Sequence, residues 1–350
     1  MLMIAGLGEV IHKLEGKTGW SWVDSLARQF VHPAWFGFTF YDFIFPLFLF
    51  LAGVSIPFSL ARALEKGVPK QDLYRKAFWR MLILMALGIL DKNAPFPFFE
   101  PEQIRLGSVL GRIGLAGFVS VVLYLNLNTV RRLTVVAGIL LFYYAALMLV
   151  PVPGYGAGDL SFEGNLTGWF DRTFLPGRLL QGTYDELGLL TQFPAMCLTL
   201  LGVLAGEILK EARFSERQKL ARLALAAVVC LAAGLLWSTH FPIAKRLWSS
   251  SFILVTAGMS FSFMAAFHAV FDVMGFKRWV FPLVVVGMNS LTIYLLHRFV
   301  DFGHTAKLLF SGLYNPLNPA WHGVLESTGA LLLVWCLLYA LYRSKIFFKA

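Results

Sequence analysis

The stretch FIFPLFLFLAGVSIPFSLA (43–61) decides the fold class. It matches the roughly 20 residues that an α-helix needs to cross the hydrocarbon core of a bilayer, and it holds no charged side chain. Pro46 and Pro57 fall inside it; a membrane helix tolerates them because neighbouring groups satisfy the carbonyls they free. Outward from this run the same texture repeats at 77–90, 106–125, 133–150, 190–209, 220–239, 251–271, 279–300 and 325–342. With 43–61 these make nine expected spans. The extreme N-terminus, Met1 to Ile11, is a stub too short to cross as a helix, and 77–90 spans only if it extends at one end.

Composition agrees. Of 350 residues 58% are hydrophobic and 14% charged, with 33 Phe and 10 Trp, against about 25% charged in soluble domains. In water such a chain would expose apolar patches that soluble monomers do not carry, and the same figures exclude disorder, collagen and a disulfide scaffold. No internal repeat or linker interrupts the pattern, so the expectation is one transmembrane domain over 1–350. It is all-α and polytopic, with about ten transmembrane helices of which the first is shortened. Cys197, Cys230 and Cys336 lie in apolar runs without CxxC spacing and read as small buried hydrophobes.

The net charge of +10 is first a question of orientation. With the stub taken as an outward-going remnant, the short segments 62–80, 126–132, 210–222, 272–278 and 343–350 fall on one side and hold 18 of the 30 Lys and Arg. The positive-inside rule puts them, and both termini, in the cytoplasm. The longest loop, 151–189, then faces outward. Nucleic-acid binding is not supported, because the basic residues sit where orientation needs them.

Ionisable residues inside spans are costly and usually line a site. In IRLGSVLGRIGLAGF (104–118), Arg105, Ser108 and Arg112 share a face if the run is one helix, seven residues being close to two turns. In MNSLTIYLLHRFVDFGHT (288–305), Ser290, Tyr294, His297, Asp301 and His304 form a stripe within about 40° by the same arithmetic. Its lower end also reads as plain interface, with Asp301 and His304 in water; Asn289, Ser290 and His297 lie deeper. Arg298 is the other arginine placed inside a span.

A third feature is FVHPAWFGFTFYDFIFPLFLFLAGVSIPF (30–58), where His32 and Trp35 sit just outside a helix and Asp42 opens its apolar run. An aspartate there suits the positive end of the helix dipole. A histidine at a membrane face can serve as nucleophile or general base, and a carboxylate can orient it; equally, His-Pro before a span can be a simple turn. His12, His240, His268 and His322 read as isolated. There is no HExxH, no Gly-rich phosphate loop and no serine nucleophile elbow. Asn165-Leu-Thr fits a glycosylation sequon, which means little outside a eukaryotic context.

Four blocks, in order, resemble the heparan-alpha-glucosaminide N-acetyltransferase family. HPAWFGFTFYDFIFPLFLFLAGVS (32–55) is similar to that family's histidine, W-x-G and Asp-hydrophobic-x-x-Pro signature. RLGSVLGRIG (105–114), the stretch from Thr183 to Gly206, and GMNSLTIYLLH (287–297) resemble its later blocks. The resemblance looks strongest to the bacterial DUF5009/NagX-like branch. It implies a transmembrane acyltransferase that moves acetyl from cytoplasmic acetyl-CoA to an amino sugar or glycan on the outer side, with no metal.

By motif match, the resemblance makes His32 the active-site histidine, with Asp42 beside it as catalytic. Arg105, Arg112, Asn289, Ser290 and His297 become the polar lining that binds the donor. Covalent acetyl-histidine and direct transfer both remain open. The implied setting is a bacterial inner membrane, with lipid and a small-molecule or glycan acceptor as partners and a homodimer left open. Two departures stand out: family members carry an Asp-x-x-Arg-Gly near the start of a full first helix, and an asparagine on it. Here the chain opens inside that region, which reads AGLGE (5–9), so a shortened first helix is expected. A sugar permease using the same polar-lined cavity is the alternative reading.

Overall fold

Several helices in this chain start where the sequence supplies a side-chain acceptor for the orphan N–H groups of a first turn. Six begin that way, on Ser108, Asn128, Asn165, Ser215, Ser249 and Asp301, and Ser215 with Gln218 closes a full capping box. The computed structural model describes residues 3–277 and 280–348. Met1 and Leu2, which open the expected stub, lie outside the described residues. So do Arg278 and Trp279, at the edges of the 272–278 and 279–300 segments, and Lys349 and Ala350.

Among the described residues fourteen α-helices follow in order: α1 (Gly8–His12), α2 (Ser21–Arg28), α3 (Phe40–Glu65), α4 (Lys70–Lys92), α5 (Val109–Asn126), α6 (Thr129–Leu149) and α7 (Leu166–Phe174). They continue with α8 (Gln192–Lys210), α9 (Glu216–Trp237), α10 (Ser250–Phe267), α11 (Phe281–Met288), α12 (Ser290–Phe299), α13 (Phe302–Tyr314) and α14 (His322–Arg343). Among the described residues no strand forms, only two isolated bridges. Seven helices among the described residues are long and apolar enough to cross a membrane: α3, α5, α6, α8, α9, α10 with its π-helical extension to Val273, and α14 with the turn before it. The chain is an all-α, polytopic integral membrane protein.

Two of the nine expected spans differ. The 77–90 run does extend, into the 23-residue α4, but the extension brings in Lys70, Asp72, Arg75 and Lys76, which makes the helix polar at one end. The 279–300 run breaks at Asn289, which has non-helical dihedrals between α11 and α12. Cys197 and Cys230 are buried as expected; Cys336 is exposed, because α14 buries Val334 and Leu338 on its other flank.

The chain divides into two compact units. The larger comprises Ala34–Phe38 and Phe45–Val273. Its centre is α8, in which every residue from Pro194 to Val203 is buried, and α3, α5, α6 and α10 supply the surrounding core side chains such as Phe50, Ala116, Leu140 and Phe261. Phe50 meets Phe261 edge-on, 4.9 Å between ring centres, a geometry the ring quadrupoles favour. Without a hydrophobic drive between helices in lipid, close backbone approach by small residues carries association. At Gly202 a Cβ would overlap the Phe50 carbonyl, and at Gly53 the Thr199 carbonyl. By contrast α9 leaves Leu225, Val228, Val229, Leu235 and Leu236 exposed, as a lipid-facing helix should.

The smaller unit comprises Met1–Pro33, Thr39–Ile44 and Met274–Ala350. Val285, Val286, Ile293, Phe302, Val334 and Leu338 form its core. The Lys13 ammonium reaches Glu9 at 2.7 Å and donates to Ser327 Oγ at 2.8 Å, tying α1 to α14.

Candidate functional site

In the smaller unit, Thr39 precedes the first residue of α3 and Asp42 lies three positions on. Asp42 Oδ2 accepts from the Thr39 backbone N–H at 3.1 Å and from its hydroxyl at 3.3 Å, the reach-back half of a capping arrangement. This fixes the carboxylate, which is 1% exposed, and turns its other oxygen outward. His32 Nδ1 lies 2.6 Å from that oxygen, Oδ1, and the ring also leans on Tyr41, 4.7 Å between centres. The imidazole itself is 40% exposed. A carboxylate only accepts, so Nδ1 must be the donor, and a neutral ring then carries its lone pair on Nε2. A buried, capped aspartate thus sets the tautomer of an accessible histidine.

In the larger unit, Arg112 lies in the first turn of α5 and is 1% exposed. Its guanidinium donates to the Glu186 carbonyl at 2.9 Å, to Gln192 Oε1 at 3.1 Å and to Thr191 Oγ1. It also stands over the Trp248 ring, 4.4 Å from the centre, a favourable cation–π placement. Trp248 is fully buried and holds φ of 50°, a left-handed conformation that is a genuine outlier for so large a residue. Three buried polar atoms here, Arg112 Nη1, Trp248 Nε1 and the Tyr184 hydroxyl, have no hydrogen-bond partner among the described residues. Unpaired buried donors are rare and call for a reason. Burial holds the Tyr184 hydroxyl protonated, with Glu186 adding to the effect. The ring packs edge-on against Trp35, 5.5 Å, and Phe162, 5.6 Å, and Trp35 Nε1 donates to the Leu160 carbonyl at 2.8 Å.

Comparison with known proteins bears on both clusters. The model of the family "Heparan-alpha-glucosaminide N-acetyltransferase, catalytic" matches residues 21–242, well over half of the chain. The chain belongs to this family. It is also similar to the heparan-alpha-glucosaminide N-acetyltransferases of Homo sapiens, 28% identical over 382 residues, and Mus musculus, 26% over 378. Each alignment covers 91% of this chain and 56% of the relative, so the chain spans little more than half the length of the curated relatives it matches. The acetyltransferase family match takes in His32, Asp42, Arg105, Arg112 and Asp185, and stops short of Trp248 and the block from Asn289 to His297.

The remaining residues singled out in the sequence fall less simply. Arg105 does not share a helix with Arg112, because Ser108 caps α5 and Arg105 lies in the extended segment before it. Both arginines nonetheless engage one segment, 185–192. Arg105 forms a fork on Asp185, Nε to Oδ2 at 2.7 Å and Nη2 to Oδ1 at 2.8 Å. Asp185 also accepts from the Leu180 and Leu187 N–H groups. In the smaller unit, Asn289 is buried and donates to the Ile346 carbonyl at 3.2 Å. Ser290 opens α12 half-buried, and His297 is exposed and bonds to the Ile293 carbonyl. The expected stripe from Ser290 to His304 is not one face: α12 ends at Phe299, and Asp301 caps the next helix by accepting from His304 N–H at 2.9 Å. Arg298 is exposed near the end of α12.

Two further readings change. His268 is not isolated: Nε2 meets Glu216 at 2.6 Å and Nδ1 meets Asp272 at 3.0 Å, and the i, i+4 spacing to Asp272 was the available signal. Asn165 is buried and spends its side chain on capping α7, which leaves no room for a glycan. Sequence reading missed Asp185, Thr191, Gln192 and Trp248 as partners of the arginines. The one signal for the 185–192 partners was an Asp-Glu pair close before an apolar run.

Proposed function

We propose that this chain is a transmembrane N-acetyltransferase that moves acetyl from acetyl-CoA to an amino sugar or glycan. The observation that carries the reading is the 2.6 Å contact between His32 Nδ1 and the buried, capped Asp42, in a chain of the acetyltransferase family. His32, so held, offers an Nε2 lone pair that can take a proton from the attacking amine and return it to the departing thiolate, while Asp42 stabilises the imidazolium formed between. The same lone pair would serve attack on the acyl carbon, so covalent and direct routes need one ring state. The side chain that would meet the donor is Arg112, whose unpaired Nη1 beside Trp248 Nε1 suits the oxyanions and carbonyls of acetyl-CoA. Arg105, by contrast, is committed to Asp185, and we assign it to holding the 177–187 segment.

Asn289, Ser290 and His297 remain proposed lining residues on motif match alone. The motif resemblance supports a bacterial inner-membrane protein, and the charge sorting supports both termini in the cytoplasm. The permease alternative draws no support from the family match. The test is purified protein in liposomes with acetyl-labelled acetyl-CoA and glucosamine. Labelled N-acetylglucosamine is expected; sugar uptake without any acetyl donor, and no labelled product, would replace this reading with transport.

A further inference from the structure

In the smaller unit, α12 holds 10 residues and α13 holds 13, each too short to cross a bilayer alone. They meet end to end at Val300 and Asp301. α14 has 22 residues and is long and apolar enough to cross, and its contacts fix the depth of the other two. Tyr314, the last residue of α13, packs on His322, the first of α14, with 5.4 Å between ring centres. Further along α14, a Cβ at Gly329 would meet Phe310 and Ala306 of α13, so α13 runs antiparallel to α14. Ahead of α12, Asn289 donates to the carbonyl of Ile346, just past the far end of α14, at 3.2 Å.

At 1.5 Å per residue α12 and α13 add about 15 and 20 Å, together the length of α14, about 33 Å. The pair is therefore one crossing beside α14, and its break at Val300–Asp301 falls near half depth. His297, Arg298, Asp301 and His304 are all exposed around that break. On α13, His304, Lys307 and the half-buried Ser311 lie within about 60° of one another, a polar stripe that climbs from the break toward the Tyr314 end. Leu309 and Leu313, 61% and 74% exposed, occupy the opposite side of the helix, as lipid contacts would. Ionisable groups facing hydrocarbon at this depth are costly, and a helix broken at membrane depth is tolerated where it is buried in protein or lines water. This chain does not cover Asp301 or His304, and His304, about 15 Å below the end of α13, is too short to snorkel to the surface as a lysine can. The continuity of the stripe up to the helix end favours water over a covering protein surface.

We propose that α12 and α13 form one discontinuous transmembrane span, and that its broken midpoint and the stripe through His304, Lys307 and Ser311 line a vestibule for water and small hydrophilic solutes, open at the Tyr314 end. By the charge sorting that end is the outer one. The vestibule is separate from the acetyl-transfer reading and does not depend on it.

The test uses the full chain with Cys336→Ser, which removes the exposed thiol and leaves the buried Cys197 and Cys230. His304→Cys, Lys307→Cys, Leu309→Cys or Leu313→Cys is added singly, labelled with a thiol-specific nitroxide and reconstituted in phosphatidylcholine vesicles. Collision of each label with oxygen, which concentrates in hydrocarbon, and with a nickel chelate, which stays in water, is then measured. Labels at Leu309 and Leu313 should meet oxygen, with Leu309 deeper by about 6 Å. The label at His304, deeper still, should meet the nickel chelate. Lys307→Cys shares its face and carries the test if His304→Cys does not fold. Nickel collision at Leu309 and Leu313 would put α13 outside the bilayer. Oxygen collision at His304 and Lys307 would make the stripe lipid-facing, and collision with neither reagent would mean a protein surface covers it, spin–spin broadening marking a second copy. Each of these three results overturns the proposal.

Discussion

Replacing Arg105 with alanine separates a structural role from a ligand-binding one. The guanidinium is almost fully buried and forked on an Asp185 that is 0% exposed, so its removal strands a carboxylate that cannot reach water. Removing one partner of such a buried pair costs about 3–5 kcal/mol. Two N–H groups, from Leu180 and Leu187, remain on Asp185 and keep the cost toward the lower end. At about 2–4 °C per kcal/mol for a large domain, the unfolding temperature in detergent should fall by about 6–20 °C. The double variant Arg105→Met with Asp185→Leu removes both charges and should recover most of that loss, since a buried pair is often no more stable than an apolar replacement. The assay is a four-corner thermal unfolding cycle in one detergent. An Arg105→Ala protein as stable as wild type, or a double variant no better than the single, would refute the reasoning and return Arg105 to the donor site.

Gly202→Ala should sharply reduce the folded fraction, because its Cβ would overlap the Phe50 carbonyl, whereas Gly138→Ala, where nothing lies within 4 Å of the new atom, should be silent; fluorescence-detected size exclusion compares the two. Burial raises the Asp171 carboxyl to about 6, with the Leu189 N–H opposing. A folded value above the unfolded one means its contribution is fully present at low pH and is lost as pH rises through about 6. Unfolding temperature should therefore fall as pH rises from about 4 to about 6, and Asp171→Asn should flatten that decline. Asp42→Asn tests the tautomer: the amide oxygen will keep the Thr39 N–H, its NH₂ will face His32 Nδ1, and the ring proton will move to Nε2. Acetyl transfer should then drop about 10²–10⁴-fold with the fold intact, and an active variant counts against the orientation argument.

Class and spans were legible because hydrophobic length is local: seven expected runs are apolar spanning helices, while 77–90 lies inside the longer α4, whose start is polar. The break at Asn289 was not legible, since an asparagine in an apolar run reads the same whether it lines a helix or ends one. His32 and Asp42 were legible as a pair because ten residues separate them across one helix start. The arginines were found, but their partners were not, because Asp185, Thr191 and Gln192 lie about 80 residues away in a segment with no periodicity. Arg105 could not be divided from Arg112 by sequence, since only the cap at Ser108 shows that the helix starts between them.

The account rests most on His32. Full-length protein and His32→Ala, both reconstituted and matched for folding by size exclusion, are given acetyl-labelled acetyl-CoA and glucosamine, and product is counted over time. The account predicts transfer by the first and a loss of at least about 10²-fold in the second. Equal rates in the two would contradict it.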